Sequence, residues 1–137
     1  MTEQWIPWTP IENLAQEYDI EYISESYEGL KIVLFDVKDS NKKVQLLFEE
    51  SILSYRSTDE SFRCKLMYDI SEKYGKEALV PGTFFKVEHS TYIQWLSEQS
   101  NTISDSFFLT HFSLIAKNYV FDVIATCEPK IIMIDLS

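Results

Sequence analysis

The chain has 137 residues, 45% of them apolar and 15% aromatic, enough to bury a core within one domain and too apolar to stay disordered. Its 22 acids against 12 lysines and arginines give a formal net charge of −10, which repels polyanions and argues against direct nucleic-acid binding. No apolar run approaches the roughly 20 residues of a membrane helix. The start, MTEQWIPWTP, lacks the basic and apolar stretches of a secretory leader, so Cys64 and Cys127 are expected to be free thiols in a reducing cytoplasm.

The first predicted element is a short helix over PIENLAQEY (10–18), with Pro10 in its first turn and Glu12 near its positive end. YDIEYI (18–23) alternates as a half-buried strand, with Tyr18, Ile20 and Tyr22 on one face and Asp19 and Glu21 on the other. GLKIVLFDVK (29–38) is apolar on both faces, as suits a central strand, and the turn DSNKK leads into a partner strand, KVQLLFEE (43–50). ILSYRS (52–57) reads as extended and DESFRCKLMYDISEKYG as a helix, because Phe62, Leu66, Ile70 and Tyr74 recur every four residues and Gly75 follows as a stop. Ser57 and Glu60 have the spacing of a capping box for that helix.

Pro81 and Gly82 mark a break before a strand at TFFKVE (83–88). HSTYIQWLSEQS (89–100) reads as a helix capped at Ser90 that buries Tyr92, Trp95 and either Leu96 or Ile93. Three strand-like runs close the chain at residues 106–116, 119–126 and 129–136. The order implies an α+β domain spanning 1–137, with a largely antiparallel sheet of six to eight strands and two or three helices packed mainly on one face.

Catalytic signatures are missing. There is no glycine-rich phosphate cradle, no G-x-S-x-G serine, and no zinc spacing among two histidines and two cysteines, so neither cofactor nor metal is expected. Two constellations remain. A two-residue turn at Lys117-Asn118 would pair Ser113 with Asp122 and make His111 its diagonal neighbour, a buried polar network or the seed of a ligand pocket. Tyr55 and Arg56 precede Asp59, Glu60 and Arg63; either the arginines fold onto those acids, or Tyr55 and Arg56 belong to a binding patch.

The charge is uneven: residues 1–30 hold seven acids, Glu3, Glu12, Glu17, Asp19, Glu21, Glu25 and Glu28, and no lysine or arginine. Such a segment is either a solvated face or a docking surface for a basic partner, to which Trp5 and Trp8, if exposed, would add anchors.

Taken together, VQLLFEESILSYRSTDES, VEHSTYIQWLSEQS and LTHFSLIAKNYVFDVIATCEPKI resemble a group of small proteins of bacilli associated with the immunity proteins of polymorphic toxin systems. The resemblance spans roughly residues 44–132, carries no functional residues with it and leaves out the acidic segment. It implies a non-enzymatic protein that binds and blocks a cognate toxin domain, such as a basic nuclease. The alternative from the residues alone is a small enzyme or ligand-binding domain with a pocket near His111 and Asp122.

Overall fold

The computed structural model describes residues 2–49, 52–75 and 83–137, and within them nine strands form two antiparallel sheets. The strands are β1 (Gln4–Pro7), β2 (Tyr18–Ser26), β3 (Gly29–Asp36), β4 (Asp39–Phe48), β5 (Ile52–Asp59), β6 (Phe84–Glu88), β7 (Thr110–Ile115), β8 (Tyr119–Ala125) and β9 (Lys130–Asp135). Two helices join them, α1 (Cys64–Tyr74) and α2 (Thr91–Gln99). One sheet has the order β1-β6-β7-β8-β5 and the other β2-β3-β4-β9. The α+β antiparallel class therefore holds, with its strands divided between two sheets rather than collected in one.

The division follows from side chains that alternate along each strand. Phe84, Phe112, Leu114, Phe121, Val123 and Ala125 of the five-stranded sheet pack with Leu30, Ile32, Leu34, Val44, Leu46 and Phe48 of the four-stranded sheet. Their sequence neighbours Phe85, Val87, Ile115 and Val120 point the other way, onto Trp5 and onto Leu66 and Ile70 of α1. The five-stranded sheet is thus a middle layer covered on both faces, which is why β7 and β8 read as continuous apolar runs. Trp5 and Trp8 are both packed inward; Trp8 lies edge-on to Phe84 and 5.0 Å from the Phe112 ring.

Several expectations give way. Residues 10–17 form no helix: Asn13 takes a left-handed φ of 64°, Leu14 and Ala15 pack on the core, and the Ala15 N–H donates to the Tyr18 hydroxyl at 2.9 Å. A helix this short has little stability of its own, and those tertiary contacts override it. In β2 a bulge between Ile20 and Tyr22 reverses the alternation, so Ile23 packs on the core and Tyr22 turns outward. Ser57 and Glu60 make no capping box. Ser57 sits in the β5–β8 ladder opposite Phe121, and Asp59 caps a 3-10 turn at Glu60–Phe62 by accepting from the Ser61 N–H. Sheet pairing carries β5 two residues past Ser57, which delays α1 to Cys64 and leaves Phe62 exposed.

Other expectations are met. Gly75, at φ +82°, ends α1, and Leu66 and Ile70 are its buried residues. Ser90 caps α2 by accepting from the Ile93 N–H at 3.0 Å, and Tyr92 is buried; Trp95, expected to be buried with it, is instead exposed. The first of the three C-terminal runs starts later than expected: a 3-10 turn, Ile103–Ser106, precedes it, and β7 begins only at Thr110. Both cysteines are free and exposed. Pro81 and Gly82 lie outside the described residues.

Candidate functional site

The turn at Lys117-Asn118 forms as expected: the Ala116 N–H donates to the Tyr119 carbonyl at 2.9 Å, Ile115 pairs with Val120, and Ser113 pairs with Asp122. This register puts His111 and Asp122 on the helix-covered face, where both are fully buried and His111 Nε2 lies 2.7 Å from Asp122 Oδ1. An ionised carboxylate only accepts, so Nε2 is protonated and donates to it. On the far side of the ring, Nδ1 lies 2.7 Å from the hydroxyl of Ser90, the α2 cap. That hydroxyl also accepts from the Ile93 N–H, so Ser90 ties the His111 ring to the start of α2.

Asp122 Oδ2 collects the chain's only two arginines. Arg56, opposite Asp122 in the β5–β8 ladder, donates its Nε at 3.0 Å, and Arg63 donates Nη1 at 2.9 Å. The Arg56 guanidinium lies over the Tyr92 ring, 4.1 Å from its centroid. Tyr92 stands edge-on to His111, and its hydroxyl hydrogen-bonds Ser54 on β5. Burial pulls the Asp122 carboxyl upward, but the hydrogen bond and charge of His111, then the charges of Arg56 and Arg63, outweigh it and hold the group well below the usual carboxylate range. Burial likewise raises the Tyr92 phenol, against the Ser54 hydrogen bond and the Arg56 charge.

The arginines therefore do not fold back on Asp59 and Glu60. They reach across the sheet, because burying Asp122 without compensating charge would cost several kcal/mol. Ser113 is a second correction: it lies directly opposite Asp122, yet its buried hydroxyl has no hydrogen-bond partner among the described residues. Arg63, Tyr92, Ser90 and Ser54 complete the network unannounced by sequence; the one available signal was that a buried aspartate demands cationic partners.

The acidic residues divide. Glu12, Glu17, Glu21, Glu25 and Glu28 are exposed. Asp19 is buried instead, accepting from the Asn118 N–H at 3.2 Å and from Asn118 Nδ2 at 2.8 Å, so it staples β2 to the β7–β8 turn rather than facing a partner. Glu21 pairs with Lys43 on β4, and Glu25 accepts from the Tyr55 hydroxyl at 2.8 Å, linking β2 to β5 across the two sheets. Tyr22, Tyr27 and Tyr55 are exposed beside these acids. β2 is an edge strand, so its outer side has no sheet neighbour among the described residues.

Among the described residues, neither of two surface cavities includes His111 or Asp122. One of about 450 Å³ lies between β1 and α1, lined by Trp5, Lys65, Asp69 and Lys73 among others; the second, of about 300 Å³, is lined by Trp8, Leu14 and Thr83. Among the described residues no three histidine, cysteine, aspartate or glutamate side chains gather as metal ligands, and no helix is long and apolar enough to cross a membrane. Compared with known protein families, characterised proteins and solved structures, the chain matches none.

Proposed function

We propose that this chain is a non-enzymatic binding protein whose partner is a basic protein, with a toxin domain as the partner that the sequence resemblance suggests. The observation that carries the reading is the edge of β2 and the turn after it, where Glu21, Glu25 and Glu28 are interspersed with exposed Tyr22 and Tyr27 and where Glu25 joins Tyr55. Tyrosine supplies large contact area at low entropic cost, and acids around it complement a cationic partner and speed encounter. His111 and Asp122 have an architectural role in this reading: both are enclosed, and Asp122 has His111, Arg56 and Arg63 to satisfy it.

The test is capture with the immobilised chain from a lysate of the organism that encodes it, at low and moderate salt, beside an E21K/E25K/E28K variant. A stoichiometric basic protein, retained by the native chain and released by the variant, is the expected result. Equal retention by the variant would remove β2 from the reading, and an acidic partner would overturn the reading itself.

A further inference from the structure

We infer that Arg56 and Arg63 form a docking site for an oxyanion, a carboxylate or phosphate group, on the solvent side of the buried Asp122. The inference is independent of the β2 edge and of the basic partner proposed for it.

Two guanidinium groups converge on one carboxylate oxygen, at 3.0 and 2.9 Å, so the arginine pair carries one positive charge more than the carboxylate it binds. Holding two cations this close is unfavourable, and a second anion relieves it. The overall charge of −10 does not cancel this local excess, because charges farther than about 8–10 Å are largely screened at physiological ionic strength.

Geometry adds donors. Arg56 spends only Nε and Arg63 only Nη1, and the remaining guanidinium nitrogens have no partner among the described residues. The Arg56 side chain keeps 40% of its surface exposed and that of Arg63 16%, whereas Asp122 has none. Arg56 is also held in advance: Asp122 fixes one edge, the Tyr92 ring supports one face, and Ser54 and His111 hold Tyr92. An immobilised fork with its outer edge in water is suited to bidentate recognition of a planar carboxylate or a phosphate, and the entropy of ordering the arginine is already spent.

With only two arginines, the chain gives two side-chain Nε–H signals in a ¹⁵N-labelled sample, assigned with R63K. The full chain is titrated at neutral pH with sodium phosphate, with sodium acetate and with sodium chloride at matched ionic strength. The expected result is a saturable shift of the Arg56 signal with phosphate or acetate and only a small linear drift with chloride. Saturation by acetate alone assigns a carboxylate ligand, and saturation by phosphate alone a phosphoryl group. R56K, which keeps the charge and loses the fork, should weaken the interaction by roughly tenfold or more, read from the remaining Arg63 signal. Indistinguishable, non-saturable drifts with all three salts overturn the inference on the native protein alone, as does undiminished binding by R56K.

Discussion

His111 Nε2 and Asp122 Oδ1 meet at 2.7 Å although they stand eleven positions apart in the chain, because a two-residue turn folds β8 back on β7 and places the two side chains diagonally on one face. The contact ties the middle sheet to both helices. His111 contacts Ser90, the cap of α2, and Asp122 binds Arg63, the residue preceding α1. A polar network in such a place is satisfied or strongly destabilising, and here the carboxylate has three donors.

Replacing Asp122 with asparagine should therefore be costly. It leaves two arginines beside a neutral amide, and breaking a buried ion pair in this way costs about 3–5 kcal/mol, with the lower end expected because Arg56 is partly solvated. The pH dependence has a definite sign. The folded-state carboxyl lies below its unfolded value of about 3.9, so its contribution is fully present above roughly pH 5 and is lost as pH falls toward the folded-state pKa. Urea unfolding at neutral and acid pH checks both points: the gap between native chain and D122N should narrow in acid. A gap independent of pH would mean that asparagine perturbs packing rather than charge.

Ser90 has two duties, accepting from Ile93 at the start of α2 and contacting His111 Nδ1. S90A removes both and should lower stability by about 2 kcal/mol, the upper end of the usual cost of a lost cap, whereas S90T keeps a hydroxyl and should retain most of it. Comparing denaturation midpoints of the two variants separates the hydroxyl from the volume of the side chain.

How much of this was legible depended on how far apart the partners lie in the chain. The Lys117-Asn118 turn, the Ser113–Asp122 register and the Ser90 cap are local, and the residue types at those positions carried them. Arg56 and Arg63 find Asp122 from 66 and 59 residues away, and with acids three and four positions from Arg56, local spacing pointed to the wrong partners. The capping box failed for the same reason. Ser57 and Glu60 have the right spacing, but ladder pairing to β8 claims the backbone first. The β2 bulge leaves no mark in the composition of YDIEYI, so a correct period of two placed Tyr22 on the wrong side. The acidic edge was legible as charge; that Asp19 leaves it for Asn118 was not.

Gly29 closes the two-residue turn between β2 and β3 with φ +121°, and an added Cβ would sit 2.1 Å from the Phe48 carbonyl oxygen. Both the backbone conformation and the overlap with rigid β4 oppose a side chain. G29A should therefore cost well over 1 kcal/mol, and more than alanine at an ordinary left-handed glycine. Thermal unfolding of G29A measures this, and a loss under about 1 kcal/mol would show that the β3–β4 pairing yields.

The bond from the Tyr55 hydroxyl to Glu25 makes a prediction about the proposed binding edge in the free protein. The hydrogen bond to Glu25 favours the protonated phenol, and a little desolvation and the carboxylate charge act in the same direction, so Tyr55 ionises above the ordinary tyrosine value. In E25Q the carboxylate is gone, and the Tyr55 titration should move down toward about 10 while the other tyrosines stay in place. Following the phenol resonances against pH, with Tyr55 identified by Y55F, measures the shift directly. A titration of Tyr55 unchanged by E25Q would mean that β2 and β5 are not joined at this point in solution, and Tyr55 would then drop out of the surface assigned to the partner.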